Sequence, residues 1–171
     1  MSSIIVYFSR AGENMANGEI KILNKGNTEI LAEKIQKAVS GDIFQILPEE
    51  NYPFAYDACK ARSKKEHENN DLPLISNLKE HLLDAYDTIY IGFPIWSRSF
   101  PRIISTFLQC YDLNGKIIKP FCTNEEGDFG YGELELRSLL KDSGCILKPG
   151  LSIRGYEVSK SDNVVKEWVN K

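Results

Sequence analysis

The chain has 171 residues, 42% of them hydrophobic, which is the size of a single domain, residues 1–171, with a substantial buried core. A net charge of -3, from 21 basic and 24 acidic residues spread along the sequence, leaves no basic stripe for a nucleic acid. Cys59, Cys110, Cys122 and Cys145 form no CxxC pair and only His67 and His81 add imidazoles, which argues against a structural zinc site, and no apolar run is long enough to span a membrane. A strand beginning almost at Met1, with thiols spaced this widely, leads us to expect reduced cysteines and a cytoplasmic location.

Ser3 to Phe8 is an apolar run rich in β-branched and aromatic residues, so it reads as a buried strand that stops at Ser9-Arg10-Ala11-Gly12. Gly26-Asn27-Thr28 opens a helix with Ile30, Leu31, Ile35, Ala38 and Val39 on one face and Gly41 as its stop. The connection from Gly12 to Gly26 is longer than a strand-to-helix loop needs, and Asn17-Gly18 inside it is a hairpin signal; Met15 to Lys25 reads as an inserted flap. Asp42 to Leu47 is a shorter strand, ended by Pro48. Glu49 to Asn70 passes through Tyr52-Pro53 into a polar helix carrying Ala55, Cys59 and Arg62 to Lys65. Leu78, Leu82 and Leu83 mark a short amphipathic helix after it.

Thr88 to Phe93 is unbroken by polar residues, as expected of a central strand covered on both faces, and it runs into Pro94-Ile95-Trp96-Ser97. Ile103, Ile104, Phe107, Leu108 and Tyr111 then mark a helix, with Ser99 as its expected N-cap and Pro101 in its first turn. Lys116 to Thr123 is the fourth strand, with Pro120 inside it. A loop, Thr123 to Gly130, leads to a helix with Leu134, Leu136, Leu139 and Leu140, stopped by Gly144. A weak fifth strand falls within Cys145 to Ile153, and Val164, Val165, Trp168 and Val169 close the chain with a helix. Five strands alternating with helices predict a doubly wound, three-layer α/β sandwich with helices on both faces.

In such sheets ligands bind beyond the carboxyl ends of the strands. Three loops fall there: Ser9 to Asn14 with Gly26 to Thr28, Pro94 to Ser97, and Thr123 to Gly130. The first has the composition of an anion site, since a helix start offers unpaired N–H groups and glycine lets the backbone approach; Asn27 or Thr28 acting only as a helix cap accounts for it equally. Trp96 is either a stacking surface for an aromatic ring or a core residue. The third loop, with Glu125 and Glu126, reads as a ligand loop or a solvated acidic turn.

Together, Tyr7-Phe8-Ser9-Arg10-Ala11-Gly12, Gly26-Asn27-Thr28-Glu29, Gly92-Phe93-Pro94-Ile95-Trp96 and Pro120-Phe121-Cys122-Thr123 with Gly127 and Gly130 resemble the flavodoxin-like FMN proteins. The closest likeness is to short bacterial flavodoxins whose phosphate loop is split by an insertion. The resemblance implies a five-stranded parallel sheet in the order 2-1-3-4-5. It also implies FMN as cofactor, its phosphate at Ser9, Arg10, Ala11, Asn27 and Thr28. The ring would then lie between Pro94, Ile95, Trp96 and Ser97 on one side and Thr123, Asn124, Gly127, Phe129 and Gly130 on the other. A flavodoxin-like electron-transfer protein is the function implied, with a redox partner protein or NAD(P)H as its partner. An NAD(P)H-dependent FMN oxidoreductase reducing quinones or nitro compounds, with the flap Met15 to Lys25 and the segment Tyr52 to Lys65 shaping its substrate site, and a non-catalytic flavin-binding regulatory module, are the rival readings. The net charge of -3 departs from strongly acidic electron shuttles and weakens steering onto a basic partner. No G-x-S-x-G elbow supports a hydrolase, and Cys122 lacks the phosphate-binding arginine of a cysteine phosphatase.

Overall fold

The computed structural model describes residues 2–171. Its first strand, β1 (Ser3–Tyr7), is followed by a hairpin, β2 (Gly12–Ala16) and β3 (Glu19–Leu23), and by helix α1 (Asn27–Val39). Next come β4 (Asp42–Gln45), α2 (Tyr56–Asn69), β5 (Thr88–Pro94), α3 (Arg102–Gln109), β6 (Ile117–Asn124) and α4 (Gly132–Leu140). Two short strands, β7 (Ile146–Leu147) and β8 (Leu151–Arg154), lead through a 3-10 turn at Gly155–Lys160 into α5 (Asp162–Val169).

The main sheet is parallel and runs β4-β1-β5-β6, with β7 and β8 both pairing with β6 on its far side. Taking β7 and β8 as one interrupted strand gives the expected order 2-1-3-4-5. The interruption falls at Lys148-Pro149-Gly150, where proline lacks the donor a ladder needs. β5 is central and buried from Thr88 to Phe93, which is why its sequence shows no polar alternation.

Alternation in β1 divides the core in two. Ile4, Val6 and Phe8 pack with Ile103, Ile104 and Phe107 of α3 and Leu136 and Leu140 of α4, whereas Ile5 and Tyr7 pack with Leu31, Ala32 and Ile35 of α1 and Val165 and Trp168 of α5. Lys119 of β6 is buried between the rings of Tyr90 and Trp168 and donates to the carbonyls of Trp168 and Val169, so its charge meets the negative end of α5. Among the described residues no helix is long and apolar enough to cross a membrane, and no cluster of three or more His, Cys, Asp or Glu side chains could hold a metal.

Several local expectations are corrected. The insertion is a hairpin that starts at Gly12 rather than Met15, with Asn17 and Gly18 both at positive φ in its turn, as a two-residue primed turn requires. α1 ends at Ser40, which adopts the left-handed conformation expected of Gly41; Gly41 is needed instead for close packing, since a Cβ there would lie 2.8 Å from the Ser3 carbonyl oxygen. Ala38 is exposed, and the buried face of α1 is Thr28, Leu31, Ala32 and Ile35. Leu78 to Leu83 forms successive tight turns rather than a helix, because His81 at φ 58° breaks the run and its N–H neighbours bond three residues back. Ser99 does not cap α3: Pro101 occupies that position, and the Ser99 hydroxyl bonds to Glu135.

Gly92 faces the fully buried ring of Phe121 on the neighbouring strand, and a Cβ there would lie 2.1 Å from Phe121 Cζ. Gly92→Ala is therefore expected to destabilise the domain by about 2–3 kcal/mol, the cost of overpacking a closed core. Urea unfolding should show a lower midpoint with an unchanged slope.

Candidate functional site

The carboxyl ends of β1, β5 and β6 open into a cavity of about 420 Å³, within the range of small-molecule sites. Gly155, just past the end of β8, also borders it. Ser9, Arg10, Asn27, Thr28, Pro94, Ile95, Trp96, Ser97, Thr123, Asn124 and Gly130 line it, so all three loops singled out in the sequence converge. Ala11, Gly127 and Phe129 do not line it. Ala11 is exposed, Gly127 is turned against Arg154, and Phe129 packs its ring on Phe93 and the space beside Gly150.

At one end stands the start of α1. Its first residues have no side-chain cap of their own; the hydroxyl of Ser9, from the end of β1, accepts the N–H of Glu29 at 3.1 Å. Ser9 thus caps the helix from another strand, and its own O–H remains free to donate into the cavity. The N–H groups of Asn27 and Thr28, ahead of it in the first turn, have no intrahelical acceptor, which is the anion-binding arrangement of a helix start. Thr28 is buried and shares a 2.7 Å hydrogen bond with the Thr123 hydroxyl, tying α1 to the end of β6. Gly26 joins the two halves of the split loop: a Cβ there would lie 2.1 Å from Ser9 Oγ and 2.8 Å from the Arg10 carbonyl oxygen.

Arg10 borders the cavity, but its guanidinium is committed elsewhere. It donates to the carbonyls of Pro53 at 2.8 and 3.0 Å, Glu13 at 2.6 Å and Phe54 at 2.5 Å, holding the hairpin to the start of α2. What Arg10 can offer an anion is its backbone N–H.

At the other end, Trp96 serves both readings given for it. It lines the cavity and meets the rings of Phe8 and Tyr52 edge-on, at centroid distances of 5.4 and 5.0 Å. Trp96 to Ser99 is a two-residue turn closed by reciprocal backbone bonds of 2.8 and 3.0 Å, with Ser97 at φ 51° and Arg98 at φ 63°. Two non-glycine residues in the left-handed region make this a strained turn. Gly130 allows it to seat, since a Cβ there would fall 2.3 Å from the Arg98 carbonyl oxygen, and Tyr131 N–H bonds that oxygen at 2.7 Å.

A fourth wall comes from the segment that the oxidoreductase reading expects to shape a substrate site, although the sequence did not single out its residues: Tyr56, Cys59, Lys60 and Ser63 of α2 line the cavity, joined by Asn14 and Met15 of the hairpin and by Arg98. The signal was the spacing i, i+3, i+4, i+7, one face of a helix, but on a polar helix that stripe does not announce itself. Glu125, Glu126 and Asp128 of the loop after β6 also line it, and the hairpin tip reaches that loop, Gly18 N–H donating to Glu125 Oε2 at 3.3 Å. Neither buried thiol is poised as a nucleophile: burial pushes Cys122 up to about 12 and also raises Cys59.

A family profile described as flavodoxin matches residues 21–171. No curated protein matches the chain. Among solved structures, a Bacteroides eggerthii protein assigned as a flavoprotein aligns at 27% identity over 99% of this chain and 96% of that one, with a TM-score of 0.77. One from Bacteroides uniformis aligns at 31% identity over 99% and 98%, with a TM-score of 0.75. A Lactobacillus acidophilus flavoprotein in complex with FMN shares the fold at 20% identity over 93% and 97%, with a TM-score of 0.66. With its sheet order, its loop-built cavity and a profile match over most of its length, this chain belongs to the flavodoxin family.

Proposed function

We propose that the chain binds FMN in this cavity and acts in electron transfer. The observation that carries the reading is the pairing, in one cavity, of a helix start with free N–H groups and an indole fixed beside a strand end. The first suits a phosphate and the second a flat ring. That a Lactobacillus acidophilus relative of the same fold was solved with FMN supports the assignment. FMN supplies one- and two-electron chemistry when bound; the protein holds, orients and tunes it. Ser9, Asn27, Thr28 and the backbone of Arg10 hold the phosphate, while Pro94 to Ser97 and Thr123 to Gly130 flank the ring. All four cysteines are free, which suits the reducing cytoplasm.

A second reading, an NAD(P)H-dependent FMN oxidoreductase, is favoured by the wall of α2 and the hairpin, which a simple carrier has no need to build. Anaerobic mixing with NADH and NADPH separates the two: rapid bleaching of bound flavin without a protein partner identifies the oxidoreductase, and its absence leaves the carrier, with a redox protein as partner.

Ser9→Ala removes a donor to the phosphate and is expected to weaken FMN by about 1.5–3 kcal/mol, the scale of a hydrogen bond to a charged group, with riboflavin little affected. Equal losses for both ligands, measured by fluorescence titration, would contradict the phosphate assignment. Glu125 and Glu126 place negative charge at the ring end and disfavour an anionic reduced flavin. Replacing both with Gln is therefore expected to raise the flavin midpoint potential in a redox titration, by an amount on the order of 1 kcal/mol.

A further inference from the structure

The loop after β6 flanks the ring end of the cavity, and two side chains of β8 hold it in place from behind. In the pairing of β6 with β8, Cys122 stands beside Ser152 and Asn124 beside Arg154, so Ser152 and Arg154 leave the same face of the sheet. Ser152 Oγ accepts the side-chain amide N–H of Asn124 at 2.7 Å, and Asn124 Oδ1 accepts the backbone N–H of Gly127 at 2.5 Å. The turn from Asn124 to Gly127 is therefore closed by an amide that β8 orients.

Arg154 grips the other side of that turn. Its Nη2 donates to the Glu126 carbonyl at 3.3 Å, its Nη1 to the Tyr156 hydroxyl at 3.3 Å, and a Cβ at position 127 would lie 3.0 Å from its Nε. Gly127 has φ 96°, a conformation that suits glycine, and its lack of a side chain lets the guanidinium lie against the backbone there. Arg154 also differs from an ordinary surface arginine. Its Nε is buried with no hydrogen-bond partner among the described residues, and the arginines that form ion pairs there are Arg62 and Arg137. An arginine kept for surface charge would turn Nε to water or take a carboxylate of the acidic loop beside it. This one forgoes both and lies on the Glu126–Gly127 backbone, a cost that the structure bears only where the placement itself matters.

We propose that Arg154 is a positioning residue: it fixes the Glu126–Gly127 peptide and, through it, the wall of the cavity that flanks the flavin ring. The proposal rests on the FMN reading and adds to it a residue that does not line the cavity. A wall already ordered in the free chain spares the ligand the loss of loop entropy on binding. Loosened, it must be ordered by whatever carries the ring. The phosphate is held elsewhere, by Ser9 and the start of α1, so FMN and riboflavin lose affinity equally.

The test compares the parent chain with Arg154→Gln and Arg154→Lys, first free of flavin and then titrated with FMN and with riboflavin by fluorescence. In the flavin-free chain, Arg154→Gln is expected to speed amide hydrogen exchange about tenfold at 125–130, the scale of one hydrogen bond to a charged group, with exchange elsewhere and the circular dichroism spectrum as in the parent. Both flavins are then expected to bind about tenfold more weakly, by the same factor, and Arg154→Lys, which keeps the charge and a donor, to recover part of the loss. Unchanged exchange in the loop, or unchanged riboflavin affinity, overturns the proposal. A loss confined to FMN also overturns it, because Arg154 would then act on the phosphate end through Gly155, whose backbone packs on the Asn27 side chain. Should Arg154→Gln fail to fold, Arg154→Lys decides: equal weakening of both flavins supports the proposal and parent-like affinity for both overturns it. If the parent chain takes up neither flavin, the functional reading fails and the positioning of a ring with it, while the exchange comparison still shows whether Arg154 holds the loop.

Discussion

The cavity depends on one close contact, the backbone of Gly26 against Ser9 and Arg10. The hairpin separates two peptide segments that must act as a single loop, and nothing in chain connectivity brings them together again. A residue without Cβ at position 26 lets the segments touch, since any side chain would collide with the Ser9 hydroxyl. With that contact made, Ser9 reaches the N–H of Glu29 and the helix start is aimed at the cavity. The insertion is therefore tolerated because its ends are stitched, not because it is remote from the site.

The stitch is reinforced by a charge that looks at first like a ligand donor. Arg10 places its guanidinium on three backbone carbonyls, from Glu13, Pro53 and Phe54, beside the backbone bond in which Phe54 also accepts the Glu13 N–H, so hairpin and the approach to α2 are joined at several points. Its planar fork suits this task better than a lysine would. An arginine in a phosphate-loop motif thus positions the loop, and the anion end of the cavity is built from backbone dipoles and hydroxyls.

Those parts of the structure that rest on burial were legible in the sequence. Unbroken apolar runs marked β1 and β5, the spacing of Ile103, Ile104 and Phe107 marked α3, and Asn17-Gly18 marked the hairpin turn, because each pattern follows from a local rule. What could not be read depends on three-dimensional neighbours. Phe129 sits in a ligand-type loop but finds Phe93 and leaves the cavity. Ser40, His81, Ser97 and Arg98 hold positive φ without being glycine, which only tertiary contacts enforce. The α2 face shows no hydrophobic signature because its business is polar, so the helix reads as solvated surface although Cys59 and Ser63 are buried.

Charge placement links these features to function. Glu125, Glu126 and Asp128 border the cavity from the loop after β6 and Lys60 borders it from α2, while the Arg98 guanidinium lies over the Tyr131 ring beside that acidic loop, so charge is placed locally although the net charge is only -3. The hairpin is fixed at its base by Arg10, and its tip rests on Glu125 through a 3.3 Å bond from Gly18. The contact at the tip is exposed, whereas the Arg10 bond at the base is part-buried. The insertion that splits the phosphate loop thus ties two walls of the cavity together, the loop after β6 through Gly18 and the approach to α2 through Arg10.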